Sequence, residues 1–552
     1  MKKKAGLAIG AMLFLVIGIF VLHRYLPGRK WMELTEYYGI SENETGVIVN
    51  SENTGLKAVQ QDGTYYLSAE LVQNYVNERF YWDGSHLLYT LPDRTVVYSP
   101  GEEVYLDGIE EREREIPGCI YQENTLWIGL DVVAEYTNMT YTLEEDPGRI
   151  WIWSDWEQPV SYASAKKKSA VRYRAGIKSP ILAELEKGSK VLVLDTDVPG
   201  WTKVQTTEGL IGYVQEGRLS DTTLYQPSHD FTEPEYLGIS VEETIVMVWH
   251  QNLDNAGIYE LPGILERSRG LNVIAPSWFT LSDDTGGFVS RADGSYTELA
   301  HEAGVSVWGM VDNLNLPVDT YQVLSVTENR NRLIKGLMEE ANVYGLDGIN
   351  VDFESLPEEC GVHFAQFIRE LSVACHQAGL VLSVDNYAPE SGTGYYNRAE
   401  QALYADYIMV MAYDEHWNGG GVAGSTSSYP FAERAITDTL EEVPAEKLVL
   451  AIPFYTRLWE EDADSKAVGM KELSELLPRW GKPVWLEKER QYFATGTIGE
   501  ETVSVWVEDL DTLSWRLSLA EHYGLAGVSA WKAGLELDEA WELLQAYGEK
   551  QS

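Results

Sequence analysis

Leu346-Asp347-Gly348-Ile349-Asn350-Val351-Asp352-Phe353-Glu354 is the stretch on which the reading of this 552-residue chain turns. Side chains alternate across a β-strand. Ile349, Val351 and Phe353 therefore share one face, and Gly348, Asn350, Asp352 and Glu354 share the other. An asparagine and two carboxylates in one column are costly to bury unless they are hydrogen-bonded or used. A closed barrel of parallel strands reconciles the two faces. The apolar set packs on outer helices, and the polar set points inward and rises to the C-terminal mouth, where such columns read as catalytic.

Outward from this stretch, strand patterns alternate with helical ones after the proline-flanked loop ending at Pro234. Eight apolar strand candidates stand out: Thr244–Trp249, Leu271–Trp278, Val305–Val311, Gly348–Phe353, Val381–Asn386, Tyr407–Tyr413, Leu448–Phe454 and Gly527–Trp531. Amphipathic stretches such as Asn329–Ala341 and Phe364–Ala378 lie between most of them. Such alternation predicts an α/β fold, a (β/α)8 TIM barrel over residues 236–549. The longest gap, Arg457 to Leu525, has strand-like text of its own at Arg490–Thr495 and Thr502–Val507, so a small hairpin insertion is expected at 458–524.

These residues resemble glycoside hydrolase family 18, the chitinase-like family, whose signature is Asp-Gly-x-Asp-x-Asp-x-Glu. Asp347, Gly348, Asp352 and Glu354 match it, and Asn350 stands where the family usually has Asp. Met411-Ala412-Tyr413-Asp414 matches the sixth-strand Met-x-Tyr-Asp element, "LVLAIPFYTRLW" resembles the seventh-strand element, and Trp531 in "GVSAWKAGLE" matches the eighth-strand tryptophan. The third strand, "VSVWGMVDN", lacks the usual Ser-x-Gly-Gly. With Asn350, this departure points to the divergent bacterial branch of spore and cell-wall glucosaminidases. The resemblance runs from about Gly238 to Tyr547.

The resemblance implies roles residue by residue. Glu354 is the proton donor, its pKa raised by Asp352 and partial burial. The substrate's own acetamide replaces a protein nucleophile. Asp352 orients that acetamide and balances the oxazolinium charge, and Tyr413 hydrogen-bonds the acetamide oxygen. Asp414 positions the sugar and Trp531 floors it, with Asp347, Asn350 and Met411 in the binding set. Trp417, before the glycines at Gly419–Gly421, is a candidate for the groove, as are Trp278 and Trp308, although core packing explains Trp308 equally well. An Asn at 350 cannot titrate, so Asp352 is expected to ionise with one like charge fewer beside it. No cofactor or metal is expected, since neither His250 nor His416 has a second ligand at zinc-like spacing.

The rest of the chain bears on location. A net charge of −44 disfavours a nucleic-acid binder. Three cysteines exclude a disulfide framework. Lys2-Lys3-Lys4 followed by the apolar run Ala5–Leu22 predicts a single-pass membrane anchor with the remainder extracytoplasmic. A cleaved signal peptide and secretion is the alternative, although no small-x-small site follows closely. Short aromatic strands over 31–158 resemble the copper amine oxidase N-terminal-like module, without implying copper. After Lys166-Lys167-Lys168, residues 166–222 resemble a bacterial SH3-like domain, a wall-binding type of module or a spacer. The expected function is cleavage of β-linked N-acetylglucosamine polymers. Peptidoglycan is favoured over chitin-like glycans because anchor and accessory modules would hold the barrel at the cell wall. A catalytically inactive, lectin-like wall protein is the alternative.

Overall fold

The computed structural model describes Gly18 and residues 24–252, 256–460 and 464–551. Apart from Gly18, the expected anchor Ala5–Leu22 lies outside the described residues. Among those residues no helix is long and apolar enough to cross a membrane. The chain divides into two units, Met1–Tyr89 with Val97–Glu233, and Thr90–Val96 with Pro234–Ser552.

The first unit is mainly β. One seven-stranded sheet runs in the order Thr140–Glu145, Gly148–Trp153, Thr45–Val49, Glu52–Gln61, Thr64–Ser68, Thr125–Gly129, Cys119–Gln122. Ser68 ends its strand by capping the helix Ala69–Tyr75 through Leu71 N. A second seven-stranded sheet begins with Val160–Ser164 and closes on a core of Val171, Val191, Val204 and Val214. That first strand precedes the lysine run, so the sequence boundary at 166 falls inside the second sheet. Lys168 is instead held by Glu184 and Glu186 at 2.7 and 3.1 Å.

The second unit is the barrel. Its strands are β1 Ile245–His250, β2 Val273–Leu281, β3 Ser306–Asp312, β4 Gly348–Asp352, β5 Val381–Tyr387, β6 Tyr407–Met411, β7 Leu448–Pro453 and β8 Gly527–Trp531. All neighbours are parallel, and β8 and β2 both pair with β1, closing the ring. A helix follows every strand: Gly257–Arg267, Gly294–Glu302, Thr327–Tyr344, Gly361–Ala378, Arg398–Tyr404, Tyr429–Thr439, Leu510–Tyr523 and Ala540–Gln551. Period-two alternation produces two cores. In β1, Ile245, Met247 and Trp249 join the barrel interior, while Val246 and Val248 join the larger layer beneath the helices. Trp308 is 1% exposed and stacks on Tyr407 inside the barrel. Trp278 packs edge-on against Tyr296 in the outer layer. Both tryptophans are core residues.

The insertion is larger in structure and shorter in span than the expected hairpin. Five antiparallel strands, in the order Ser465–Gly469, Tyr455–Trp459, Glu501–Trp506, Gln491–Ile498, Val484–Leu486, form a sheet with the helix Met470–Leu476. It opens two residues after β7 and ends before Leu510–Tyr523, which is the seventh barrel helix. Leu513, Leu517 and Ala520 of that helix pack into the outer core. Buried ion pairs brace the frame. Arg330 Nε and Nη2 donate to the two carboxylate oxygens of Glu370 at 2.8 and 2.9 Å, joining adjacent helices. Arg516 Nη1 and Nη2 donate to the two carboxylate oxygens of Glu508 at 2.6 and 2.8 Å. Cys119 in the first unit and Cys360 and Cys375 in the second are free and buried.

Candidate active site

The barrel mouth holds a cleft of about 190 Å³ whose walls include Asp352, Glu354, Asp385, Tyr387, Met411, Tyr413, Asp414, Tyr455, Trp249 and Trp531. Five of the predicted site residues other than Glu354 meet there: Asp352, Met411, Tyr413, Asp414 and Trp531. They arrive from β4, β6 and β8, because inward-facing residues at the C-terminal ends of parallel strands converge on one mouth.

Glu354 follows β4 and is held from two sides. Asn313, just beyond β3, accepts from Glu354 N at 2.8 Å and donates to Glu354 O at 2.9 Å. The Tyr387 hydroxyl donates to Glu354 Oε2 at 2.7 Å. Burial, and then the charges of Asp414 and Asp312, push the Glu354 carboxyl above the usual range, while the Tyr387 hydrogen bond works against them. The net direction keeps the acid form available at higher pH than for a solvated glutamate.

Asp352 is buried, and its Oδ1 makes no hydrogen bond. Burial, then Glu354, Asp385 and Asp312, raise its pKa well above that of a free aspartate. Asn350 adds no charge beside Asp352, but three other carboxyls do. The neighbouring strand restores a carboxyl, since Asp385 of β5 lies in the same buried cluster.

Three predicted binding residues stand elsewhere. Asn350 is fully buried beneath the cleft and does not line it. Its Oδ1 accepts from Trp249 Nε1 at 3.0 Å, and its Nδ2 donates to Ser383 Oγ at 3.0 Å and Asp385 Oδ1 at 2.8 Å. Asp347 lies before β4, at the far end of the strand from the mouth. Its carboxylate accepts from Val307 N at 2.7 Å and pairs with His301 at 2.8 Å, fixing a strand end. Five residues of rise, about 16 Å, separate it from Asp352. Trp417 is 53% exposed and is absent from the cleft wall. The loop after β6 carries it outward.

Asp414 is set by the insertion. The Tyr455 hydroxyl donates to Asp414 Oδ1 at 2.7 Å, and Arg457 Nη2 reaches the same oxygen at 2.9 Å. Tyr413 packs edge-on to Tyr455, with ring centroids 6.2 Å apart. Burial pushes the Tyr413 phenol well above its ordinary value, so it stays a hydrogen-bond donor. Trp249 lies 6.1 Å from Trp531, and the two tilted rings give the cleft an aromatic floor.

Sequence reading missed Asn313, Asp385, Tyr387, Tyr455 and Arg457. A signal existed for two of them. In "VLSVDNY", alternation puts Ser383, Asp385 and Tyr387 on one face and Leu382, Val384 and Asn386 on the other, a pattern close to the one that marked β4. Asn313 lies past the end of β3, where no period applies, and Tyr455 and Arg457 lie in the first strand of the insertion, which follows β7 with little break in the apolar text.

The comparisons agree with this geometry. Residues 309–536 match the sequence model of Glycosyl hydrolases family 18. An uncharacterized glycosylase, YvbX, of Bacillus subtilis (strain 168) is 25% identical over 293 residues, 50% of this chain and 84% of the relative. A cortical fragment-lytic enzyme of Bacillus anthracis is 24% identical over 287 residues, 47% of this chain and 65% of that enzyme. This chain thus spans slightly under two thirds of the latter's length. Among solved structures, a chitinase from Chromobacterium violaceum ATCC 12472 shares the barrel fold at a TM-score of 0.50 and 22% identity, covering 56% of this chain and all of its own. The chain therefore carries a glycosyl hydrolase family 18 domain, and it is a glycoside hydrolase.

Proposed function

We propose that this protein cleaves β-1,4-linked N-acetylglucosamine-containing glycans with retention, using the substrate's acetamide as nucleophile, and that peptidoglycan is its polymer. The observation that carries the reading is one cleft holding Glu354, Asp352, Tyr413 and Trp531 together. Glu354, kept protonated by burial, donates to the leaving glycosidic oxygen. A second protein carboxylate is not needed as nucleophile when the acetamide oxygen attacks the anomeric carbon. Asp352 faces the acetamide nitrogen and offsets the positive charge that develops on the ring so formed. The Tyr413 hydroxyl donates to the acetamide oxygen, Asp414 fixes the sugar hydroxyls, and Trp531 stacks on the pyranose. Water, activated by the Glu354 carboxylate, then opens the ring and restores configuration.

Peptidoglycan is supported by the cortical fragment-lytic relatives. It is supported also by the sequence pattern Lys2–Lys4 plus Ala5–Leu22, which would tether the chain outside the membrane beside the wall. Two mainly-β domains between the tether and the barrel suit wall contact. The test is mass spectrometry of the products released from purified peptidoglycan and from chito-oligosaccharides, wild type beside Glu354→Gln. The wild type should release fragments with N-acetylglucosamine at the new reducing end. Glu354→Gln should lower the rate at least about 100-fold, the contribution of a positioned general acid. Glycan binding without new reducing ends in the wild type would replace this reading with a lectin-like one.

A further inference from the structure

Strand register places three carboxyls abreast at one level of the barrel interior. Asp312 of β3 pairs with Asp352 of β4. Asn350 pairs with Ser383 and Val351 with Val384 across β4 and β5, so the next step up the two strands sets Asp352 level with Asp385. Neighbouring strands lie about 4.8 Å apart. Asn350 sits one step below and uses its whole amide: the oxygen takes the Trp249 indole, and the nitrogen serves both Ser383 and Asp385. An aspartate at 350 would turn an oxygen toward the Asp385 carboxyl and lose that hydrogen bond. The two positions are complementary, with an amide on β4 and an acid on β5.

We propose that Asp385 is a positioning residue that supplies from β5 the carboxyl that the β4 motif lacks at Asn350, and that it shares one proton with Asp352 through the catalytic cycle. This rests on the glycan-cleaving reading above. No bond to substrate is made or broken at Asp385. When Asp352 carries the negative charge opposite the developing oxazolinium, the proton resides on Asp385, and the pair stays singly charged. Two full charges at this spacing in a buried site repel strongly, which is why one proton is retained. The Oδ1 of Asp352 is sealed from solvent and has no hydrogen-bond partner, and a shared proton would satisfy it. In support, burial first, and then Glu354, push the Asp385 carboxyl up to about 8, although Asn350 and Trp249 act to lower it. The titratable groups that interact with the pair are Glu354 beyond β4, Asp312 of β3, Tyr413 beyond β6 and Tyr396, which follows β5.

The test uses the full-length protein, a chromogenic N,N′-diacetylchitobioside, and three variants: Asp385→Asn, Asn350→Asp, and the two together. Asp385→Asn should lower kcat roughly tenfold or more, the usual weight of a supporting partner, with KM little changed. One ionisation should disappear from the alkaline limb of its kcat profile. The double exchange, which moves the acid from β5 to β4, should recover most of the rate and restore the lost ionisation. A kcat within about twofold of wild type and a superimposable pH profile for a folded Asp385→Asn would make the residue a packing element only. A double exchange that melts like wild type but stays as slow as the single variant would also overturn the proposal. An infrared comparison at neutral pH separates this idea from the functional one. The wild type should show one more protonated buried carboxyl than Asp385→Asn, even if the chromogenic substrate is not turned over. Absence of turnover by the wild type, with the extra protonated carboxyl present, strikes only the glycan reading. Absence of the extra protonated carboxyl strikes the shared proton.

Discussion

The Tyr387–Glu354 hydrogen bond sets two opposing effects on one atom. The donated O–H favours the ionised carboxylate, while burial favours the acid. Tyr387→Phe removes only the former, so the Glu354 pKa rises and the alkaline limb of kcat/KM moves to higher pH. The same change frees the Glu354 side chain, and kcat should fall about tenfold, in line with one hydrogen bond to a charged group. A pH–rate series on a chromogenic diacetylchitobioside reads both, and a limb moving to lower pH would contradict the assignment. At this scale the sequence was informative where a period applied. Asp352, Glu354 and Asp414 could be placed because strand alternation and motif spacing fix their direction. Asn350 and Asp347 were misplaced because a signature match marks a position and not a depth. Asp347 lies at the wrong end of β4, and Asn350 lies one layer below the cleft.

The elements are tied by buried ion pairs that hydrophobic patterning does not reveal. Arg330 and Glu370 face each other between Thr327–Tyr344 and Gly361–Ala378, both buried and doubly hydrogen-bonded. Arg330→Ala leaves a buried carboxylate without its guanidinium and should cost about 3–5 kcal/mol. The urea midpoint should drop with the slope unchanged. Replacing both partners by apolar residues of similar volume should restore much of that loss. All eight barrel strands were visible as apolar runs of five to nine residues bounded by loops. The insertion was read less well. Its later strands are half-buried, and its first, Tyr455–Trp459, is buried and continues from β7 with little break in the apolar text. That continuity hid the turn at which Tyr455 and Arg457 reach Asp414.

At the scale of the molecule, a net charge of −44 opposes approach to an anionic polymer and leaves a neutral one unaffected. Hydrolysis of intact peptidoglycan should therefore rise as salt increases from about 20 to about 200 mM, while turnover of a neutral chito-oligosaccharide stays flat. Parallel assays on the two substrates across that range check this, and equal salt responses would argue against charge-limited approach. Composition made this expectation available before any fold was known. The joining of two mainly-β domains ahead of the barrel was equally legible, from turn residues between short aromatic strands, although the lysine run misled on where the second begins.

The three free cysteines give the protein built-in reporters of local opening. Burial pushes the Cys119 thiol up to about 12 and that of Cys360 to about 11, and Cys375 is raised as well, so none presents a thiolate while folded. A thiol reagent can then mark each one only during moments when its surroundings come apart. Cys119 belongs to the first unit and the other two to the barrel unit. Pulse labelling in rising urea, followed by peptide mapping, should therefore yield a separate unfolding curve for each unit without any introduced cysteine, with negligible modification in the absence of denaturant.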